Sequence, residues 1–408
     1  MSINSDIIRR FLLTLVYYCT VFTVGYFVLV QLKLVEEFSI SNLIYFDAEN
    51  YQKIAQTGYT ETWLTAYFPL FPLFWSVVSG AVNISILNGL LYILFLSLLS
   101  WKLNISSRVQ LLYLALPSVI FFFLPYSEAL FFASSVLLLI GLRNRWFWLI
   151  AVGTFLAATC RPTIAVFIPA FWLVSLLEFV RIKTQFDWKT PMAGTLASLL
   201  GLAFVFYIQW LDTRKFFTFL EAQKLWGNQI GFPEFPFSSW GGNNIVKLDA
   251  IAFWTGTCSG MMFILAFFRK KLHLRREEIF SLLYLAGTTM LILIYRGGEF
   301  FSLNRFIFAT PFFLVVLGWL SKIERIRRWW WVPVSLLVTS LLFGSFVHIQ
   351  ALLKWLLLVV LMTALILSIP GQQFRRLPRA SLKTGILMLL VLTQVYFLWR
   401  FLVGDWIA

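Results

Sequence analysis

The chain has 408 residues, 60% hydrophobic, 19% aromatic and only 12% charged, with a mean hydropathy of +0.83. A soluble chain is about half apolar and a quarter charged; this one has too little polar surface to be wetted, which excludes a cytosolic enzyme and a disordered regulator and points to a polytopic membrane protein. The net charge of +15 then reads as basic residues holding cytoplasmic loops in place, with no nucleic-acid partner.

In chain order, Arg9 and Arg10 precede a long apolar run with no small-residue cleavage site. A retained first span near 11–32 is expected rather than a signal peptide. Further apolar runs predict spans near 70–100, 109–125, 128–142, 146–160, 163–180, 191–210, 251–268, 278–295, 304–320, 330–347, 355–369 and 384–402, about thirteen in all. The block 109–142 suits two short helices meeting at Pro125-Tyr126-Ser127-Glu128. With the N-terminus inside, the inner loops hold 22 of the 33 lysines and arginines, including Lys183, Arg269, Lys270, Lys271, Arg327, Arg328, Arg375 and Arg376. The positive-inside rule therefore favours a cytoplasmic N-terminus. The chain reads as one integral membrane domain, 1–408, with two long outer segments at 33–69 and 211–250. Cys19, Cys160 and Cys258 lie in apolar surroundings, and the only histidines are His273 and His348. Neither a disulfide framework nor a metal cluster is indicated.

The first outer segment begins Tyr45-Phe46-Asp47-Ala48-Glu49-Asn50-Tyr51. Tyr51, Ile54 and Ala55 recur at helical spacing, and Gly58 is a helix stop. A short surface helix is predicted, with Asp47 at its start. Asp47 either caps that helix or does chemistry; Glu49, two residues on, points elsewhere. Pro69 and Pro72 read as the rigid start of a span. Glu128 falls at the outer tip of the 109–142 hairpin. Arg161 and Arg305 fall at outer span ends, against the charge bias, as snorkelling or as working groups. In the second outer segment Gln223 and Trp226 share a helix face, among Phe216, Phe217, Phe219, Phe232, Phe235, Phe237 and Trp240. Aromatics there anchor at the interface or roof a sugar. Arg296-Gly297-Gly298-Glu299 reads as a plain outer turn.

Phe46-Asp47-Ala48, Ile54-Ala55, Gly58-Tyr59 and Tyr67-Phe68-Pro69-Leu70-Phe71-Pro72 together resemble the first luminal loop of the PIG-V family, the GPI mannosyltransferase 2 enzymes and their bacterial relatives. Pro117-Ser118, Tyr126-Ser127-Glu128-Ala129-Leu130-Phe131, Arg161-Pro162, Gln223 with Trp226, and Asn304-Arg305-Phe306 follow in that family's order. The family usually has Trp where this chain has Phe46. The resemblance implies a GT-C fold, an all-α membrane bundle with an outward-facing site. It implies transfer of a hexose, mannose by the family's habit, from a polyprenyl-phosphate donor to a glycan or lipid-linked acceptor. Asp47 would be the catalytic base.

The chemistry asks for these residue types. An acceptor hydroxyl must lose its proton as it attacks the anomeric carbon, and a positioned carboxylate takes it. The leaving phosphate keeps its charge, which the planar fork of Arg161 or Arg305 suits. Glu128, Glu49, Gln223, Trp226 and Tyr59 would shape the sugar or acceptor pocket. No cofactor is expected, a loosely bound divalent cation being left open, and the partners are the donor, the acceptor and membrane lipids. The rival classes are a transporter or flippase of lipid-linked sugars and a non-catalytic partner subunit.

Overall fold

The computed structural model describes residues 3–35, 40–182, 185–239, 243–268, 274–322, 330–344, 349–368 and 379–407. The basic residues at 183, 269–271, 327–328 and 375–376, with His273, His348 and Trp240, lie outside them. The protein is all-helical: no strand forms among the described residues, apart from one bridge between Ser238 and Glu299. In chain order the helices are α1 (Ile3–Tyr18), continued by a π turn into α2 (Gly25–Gln31), α3 (Asp47–Thr57), α4 (Leu70–Val78), α5 (Ala81–Lys102) and α6 (Ser107–Leu114). Then come α7 (Glu128–Asn144), α8 (Phe147–Cys160), α9 (Ile164–Ile182), α10 (Lys189–Thr213), α11 (Thr218–Leu225) and α12 (Asn243–Phe268). The last are α13 (Arg276–Tyr295), α14 (Leu303–Phe308), α15 (Pro311–Leu320), α16 (Trp331–Leu342), α17 (Ile349–Ser368) and α18 (Arg379–Leu402).

Among the described residues 7 helices are long and apolar enough to cross a membrane: α1–α2 as one, α5, α9, α10, α12, α13 and α18. The protein is therefore an integral membrane protein. Many of its apolar side chains face outward, Val77 and Phe268 among them, as a lipid-solvated surface requires. Helices meet closely where side chains are small. A Cβ on Gly153 of α8 would stand 2.5 Å from the Leu138 backbone nitrogen of α7.

Three predicted runs break where the chain cannot stay helical. The run 70–100 divides at Ser79 and Gly80, whose φ angles are 50° and 82°. The run 304–320 divides before Pro311, which lacks the N–H to continue α14. The first arm of the 109–142 hairpin is not one helix: α6 stops at Leu114, Pro117 opens a 3-10 turn to Phe122, and α7 starts at Glu128. Buried non-helical backbone needs partners within the protein. Gln394 Nε2 donates to the Leu114 and Leu116 carbonyls at 2.6 and 2.8 Å, and Asn88 Nδ2 to those of Leu124 and Tyr126 at 2.8 and 3.0 Å. This segment carries Ser118, Phe121 and Tyr126 inward. It lies at the seam between two apolar cores: one spans α5–α9 and α12–α15, the other joins α2–α4 to α18.

Candidate functional site

The turn before α3 sets the first carboxylate. Phe46 has φ 58° and ψ −119°, a backbone that a bulky residue holds only at a cost of about 1–3 kcal/mol. Neighbours fix it there. The Phe46 ring sits edge-on to Trp406, with centroids 4.9 Å apart, and Tyr126 Oη donates to the Tyr45 carbonyl at 3.1 Å. Asp47 is thereby the first helical residue, not the cap. The Ala48 and Glu49 N–H groups are met by the Tyr45 and Phe46 carbonyls at 3.2 and 3.1 Å. The Asp47 carboxylate instead accepts from Arg305 Nη2 at 2.6 Å and from Tyr67 Oη at 3.2 Å. Asn50 Nδ2 donates to Tyr67 Oη at 2.7 Å. Burial, then the adjacent Asp47 charge, raises the Tyr67 phenol above its usual range; it stays protonated and keeps donating.

Behind Asp47 lies an alternating row of charge. Arg305 Nε pairs with Glu128, the first residue of α7, and Arg161, at the end of α8, pairs with the same Glu128 oxygen. Glu128 is fully buried, and Arg161 and Arg305 are 6% and 4% exposed. Buried charges persist only when paired in this way. Asp47 is the accessible end of the row, its side chain 17% exposed. Aromatic faces flank both guanidinium groups: Phe131 and Phe306 lie 5.1 and 5.3 Å from Arg161, and Phe121 and Tyr126 lie 5.3 and 5.1 Å from Arg305. Ser127 Oγ accepts from Tyr51 Oη at 3.0 Å, which ties the row back to α3.

Asp249 holds the short helix that carries Arg305. It is fully buried near the start of α12. Its Oδ1 accepts from Asn304 N and Nδ2 at 2.7 and 2.8 Å, while Oδ2 accepts from Ser239 Oγ. Ser118 Oγ donates to Asn304 Oδ1 at 2.9 Å. Sequence reasoning missed Asp249, Asn50 and Tyr67. The available signal for Asp249 was a lone acid at the head of an apolar run.

The other expected site residues divide into groups. Trp226 donates from Nε1 to the Trp63 carbonyl at 3.2 Å and sets its ring edge-on to Tyr67, with centroids 6.1 Å apart, one side chain away from Asp47. Gln223 lies elsewhere: Asn228 Nδ2 donates to its Oε1 at 2.7 Å, and Arg296 Nε donates to Asn228 Oδ1 at 3.0 Å. Tyr59 is a buttress, not a lining residue. It is 3% exposed, donates from Oη to the Tyr67 carbonyl at 2.8 Å, and its N–H reaches Asp212 Oδ2 at 2.8 Å. Gly58 at φ 72° lets the chain pass Asp212. Glu49 lies on the exposed face of α3, outside the cluster. The 296–299 turn is more than a plain turn. Glu234 N–H and Ser238 N–H donate to its Gly297 and Gly298 carbonyls at 2.8 and 3.1 Å, so the 211–250 segment is stitched to it.

Among the described residues no group of three or more His, Cys, Asp or Glu is placed to hold a metal ion. Comparison with protein-family models, with curated proteins and with solved structures finds no match to this chain.

Proposed function

We propose that the protein is a GT-C-type membrane glycosyltransferase of about thirteen spans. It moves a hexose, mannose on the resemblance to the PIG-V family, from a polyprenyl-phosphate donor to a glycan or lipid-linked acceptor at the outer face of the membrane, with inversion. The N-terminus is cytoplasmic on this reading. The observation that carries it is Asp47: a part-exposed carboxylate, released from its own helix and aimed by Arg305 and Tyr67 at the edge of a buried charged row.

Asp47 takes the acceptor hydroxyl's proton while that oxygen bonds to the anomeric carbon and the bond from that carbon to the phosphate oxygen breaks. The polyprenyl phosphate departs with its charge, and Arg161 and Arg305 stabilise it. Arg305 aims Asp47 before the donor arrives, so one guanidinium serves base and leaving group.

The distribution of charge favours a one-sided enzyme over a transporter. A second charged group, Arg276 with Glu178 and Asp187 and Arg143 with Glu277, sits at the other ends of the same helices. On α13 it lies about 30 Å from Arg296, at 1.5 Å per residue. The helix between is apolar, with a mean hydropathy of 1.7, where a transport path would need polar groups.

The test is transfer from a panel of radiolabelled polyprenyl-phosphate sugars by purified protein. Asp47→Asn, nearly isosteric, is expected to slow transfer at least about a hundredfold, with donor binding little changed because the lost interaction belongs to the transition state. Glu49→Gln is expected to transfer normally. Near-normal transfer by Asp47→Asn would falsify the base assignment.

A further inference from the structure

Arg296 differs from the other two arginines near the site. Arg161 and Arg305 each touch a carboxylate; Arg296 makes no ion pair among the described residues. Of a guanidinium's five N–H donors, Nε goes to Asn228 Oδ1 at 3.0 Å and Nη1 to the Phe301 carbonyl at 2.6 Å. Both acceptors are neutral, and the remaining donors have no acceptor among the described residues. The group is held over the Phe301 ring, its centre 3.6 Å from the centroid, and is partly exposed. It is thus fixed, cationic and unspent. Asp249, Glu299, Arg305 and Asp47 all act on it through their charges, which puts it in the same electrostatic neighbourhood as the base. Asp249 makes no ion pair with it; its oxygens accept from Asn304 and Ser239.

A second observation concerns what lies beside it. The loop after Asn228 crosses the same turn, with Gly231 N–H donating to the Ile294 carbonyl at 3.0 Å. That loop exposes Ile230, Phe232 and Phe235 at 74%, 95% and 66%. The Phe232 backbone carbonyl lies over Gly297, the residue after Arg296, so this loop and a guanidinium with no ion pair among the described residues make an amphiphilic combination: a cation for an oxyanion and apolar side chains for a hydrocarbon chain. Free phosphate would use only the first.

We infer that Arg296 and the Ile230–Phe235 loop form a docking site for a lipid phosphate, the guanidinium binding the phosphate oxygens and the loop lying against the lipid's first carbons. This rests on the transferase reading, in which such a lipid is the donor, and adds a binding group that the base and the buried arginines do not provide. Gln223 acquires a role as well: through Asn228 it holds the guanidinium in place.

Binding of farnesyl phosphate to the purified protein tests the inference without requiring turnover. Arg296→Ala is expected to weaken it at least about tenfold, by loss of the charge-assisted contacts. Arg296→Lys, which keeps the charge but not the fork, should fall between. Phe232→Ser should weaken farnesyl phosphate but leave inorganic phosphate unaffected. Lys215→Ala, another cation of the same segment, should bind as the wild type does. Thermal unfolding without ligand checks that each variant folds; should Arg296→Ala fail to fold, the Arg296→Lys and Phe232→Ser comparisons carry the test. Equal farnesyl phosphate binding by the wild type and the Arg296 variants overturns the inference and leaves the transferase reading standing. Inorganic phosphate binding as tightly as farnesyl phosphate overturns the lipid assignment. Binding as expected, with no transfer from any polyprenyl-phosphate sugar, sinks the transferase reading alone.

Discussion

Glu128 is the residue on which the charged row depends. It is fully buried and shared by two arginines, so its contribution lies less in attraction than in sparing two buried cations from isolation. Glu128→Gln keeps the shape and removes the charge. It is expected to cost about 3–5 kcal/mol, the range for breaking a buried pair from one side, and to be read as a lowered unfolding midpoint in detergent. A loss under about 1 kcal/mol would mean that water reaches the arginines in place of Glu128 and that the row does not depend on this carboxylate. The sequence marked Asp47, Glu128, Arg161 and Arg305 individually, through charge in apolar surroundings. It could not show that they are consecutive links, because their separations along the chain run to 258 residues.

At the scale of elements, two short pieces of backbone do positional work out of proportion to their length. Helix α14 has only 6 residues, too few to be stable alone, and it carries Arg305. Asp249 satisfies its N-terminal N–H from another helix. Asp249→Ala would leave the Asn304 N–H and the Asn304 amide without the carboxylate that accepts from them. A loss of about 2–4 kcal/mol is expected, together with lower transfer, and Asp249→Asn should recover part of both. Stability unchanged in Asp249→Ala would show that α14 is held by packing instead. At the other end of the bundle, Arg276 gathers Glu178 of α9 and Asp187 before α10. Burial opposes ionisation of Asp187, but hydrogen bonds from Thr190 and Arg276 outweigh it and hold the carboxyl below its usual range. A depressed carboxyl contributes stability above its unfolded value and loses it as pH falls through the lower folded value. The clamp should hold at neutral pH and loosen only in acid below about pH 4, seen as faster hydrogen exchange over residues 185–195. Asp187→Asn should remove that step; a step that survives the substitution belongs to another group.

The whole molecule places the 58–61 turn and the 228–239 loop at the same end of the bundle, since Trp226 and Trp63 meet there and Asp212 holds Tyr59. Thr60 and Ser238 are both exposed. Cysteines at these positions, in a background with Cys19 replaced, should both react with an impermeant thiol reagent added to intact cells. Protection of both until lysis would reverse the proposed orientation, and protection of one alone would contradict the fold.

Composition decided that this is a membrane protein, because no fold hides 60% apolar residues in water. Periodicity and turn residues decided most helix limits, since Pro, Gly and charged residues act locally. The end of α8 near Arg161 and the rigid opening of α4 after Pro69 follow from neighbours in sequence, whereas the turn into α3 is held by Trp406 and Tyr126 from far along the chain. The interruption at Pro117 was legible as a proline, but its consequence was not. The irregular stretch survives only because Gln394 and Asn88 supply its hydrogen bonds, and no local rule brings them there. The same limit separates Trp226 from Gln223, which share a helix face yet join different groups, and it hid Arg296, which in sequence is one residue of a four-residue turn. Which charges are paired and which remain open to a ligand is fixed by distances between residues far apart in the chain, and those exist only once the helices have packed.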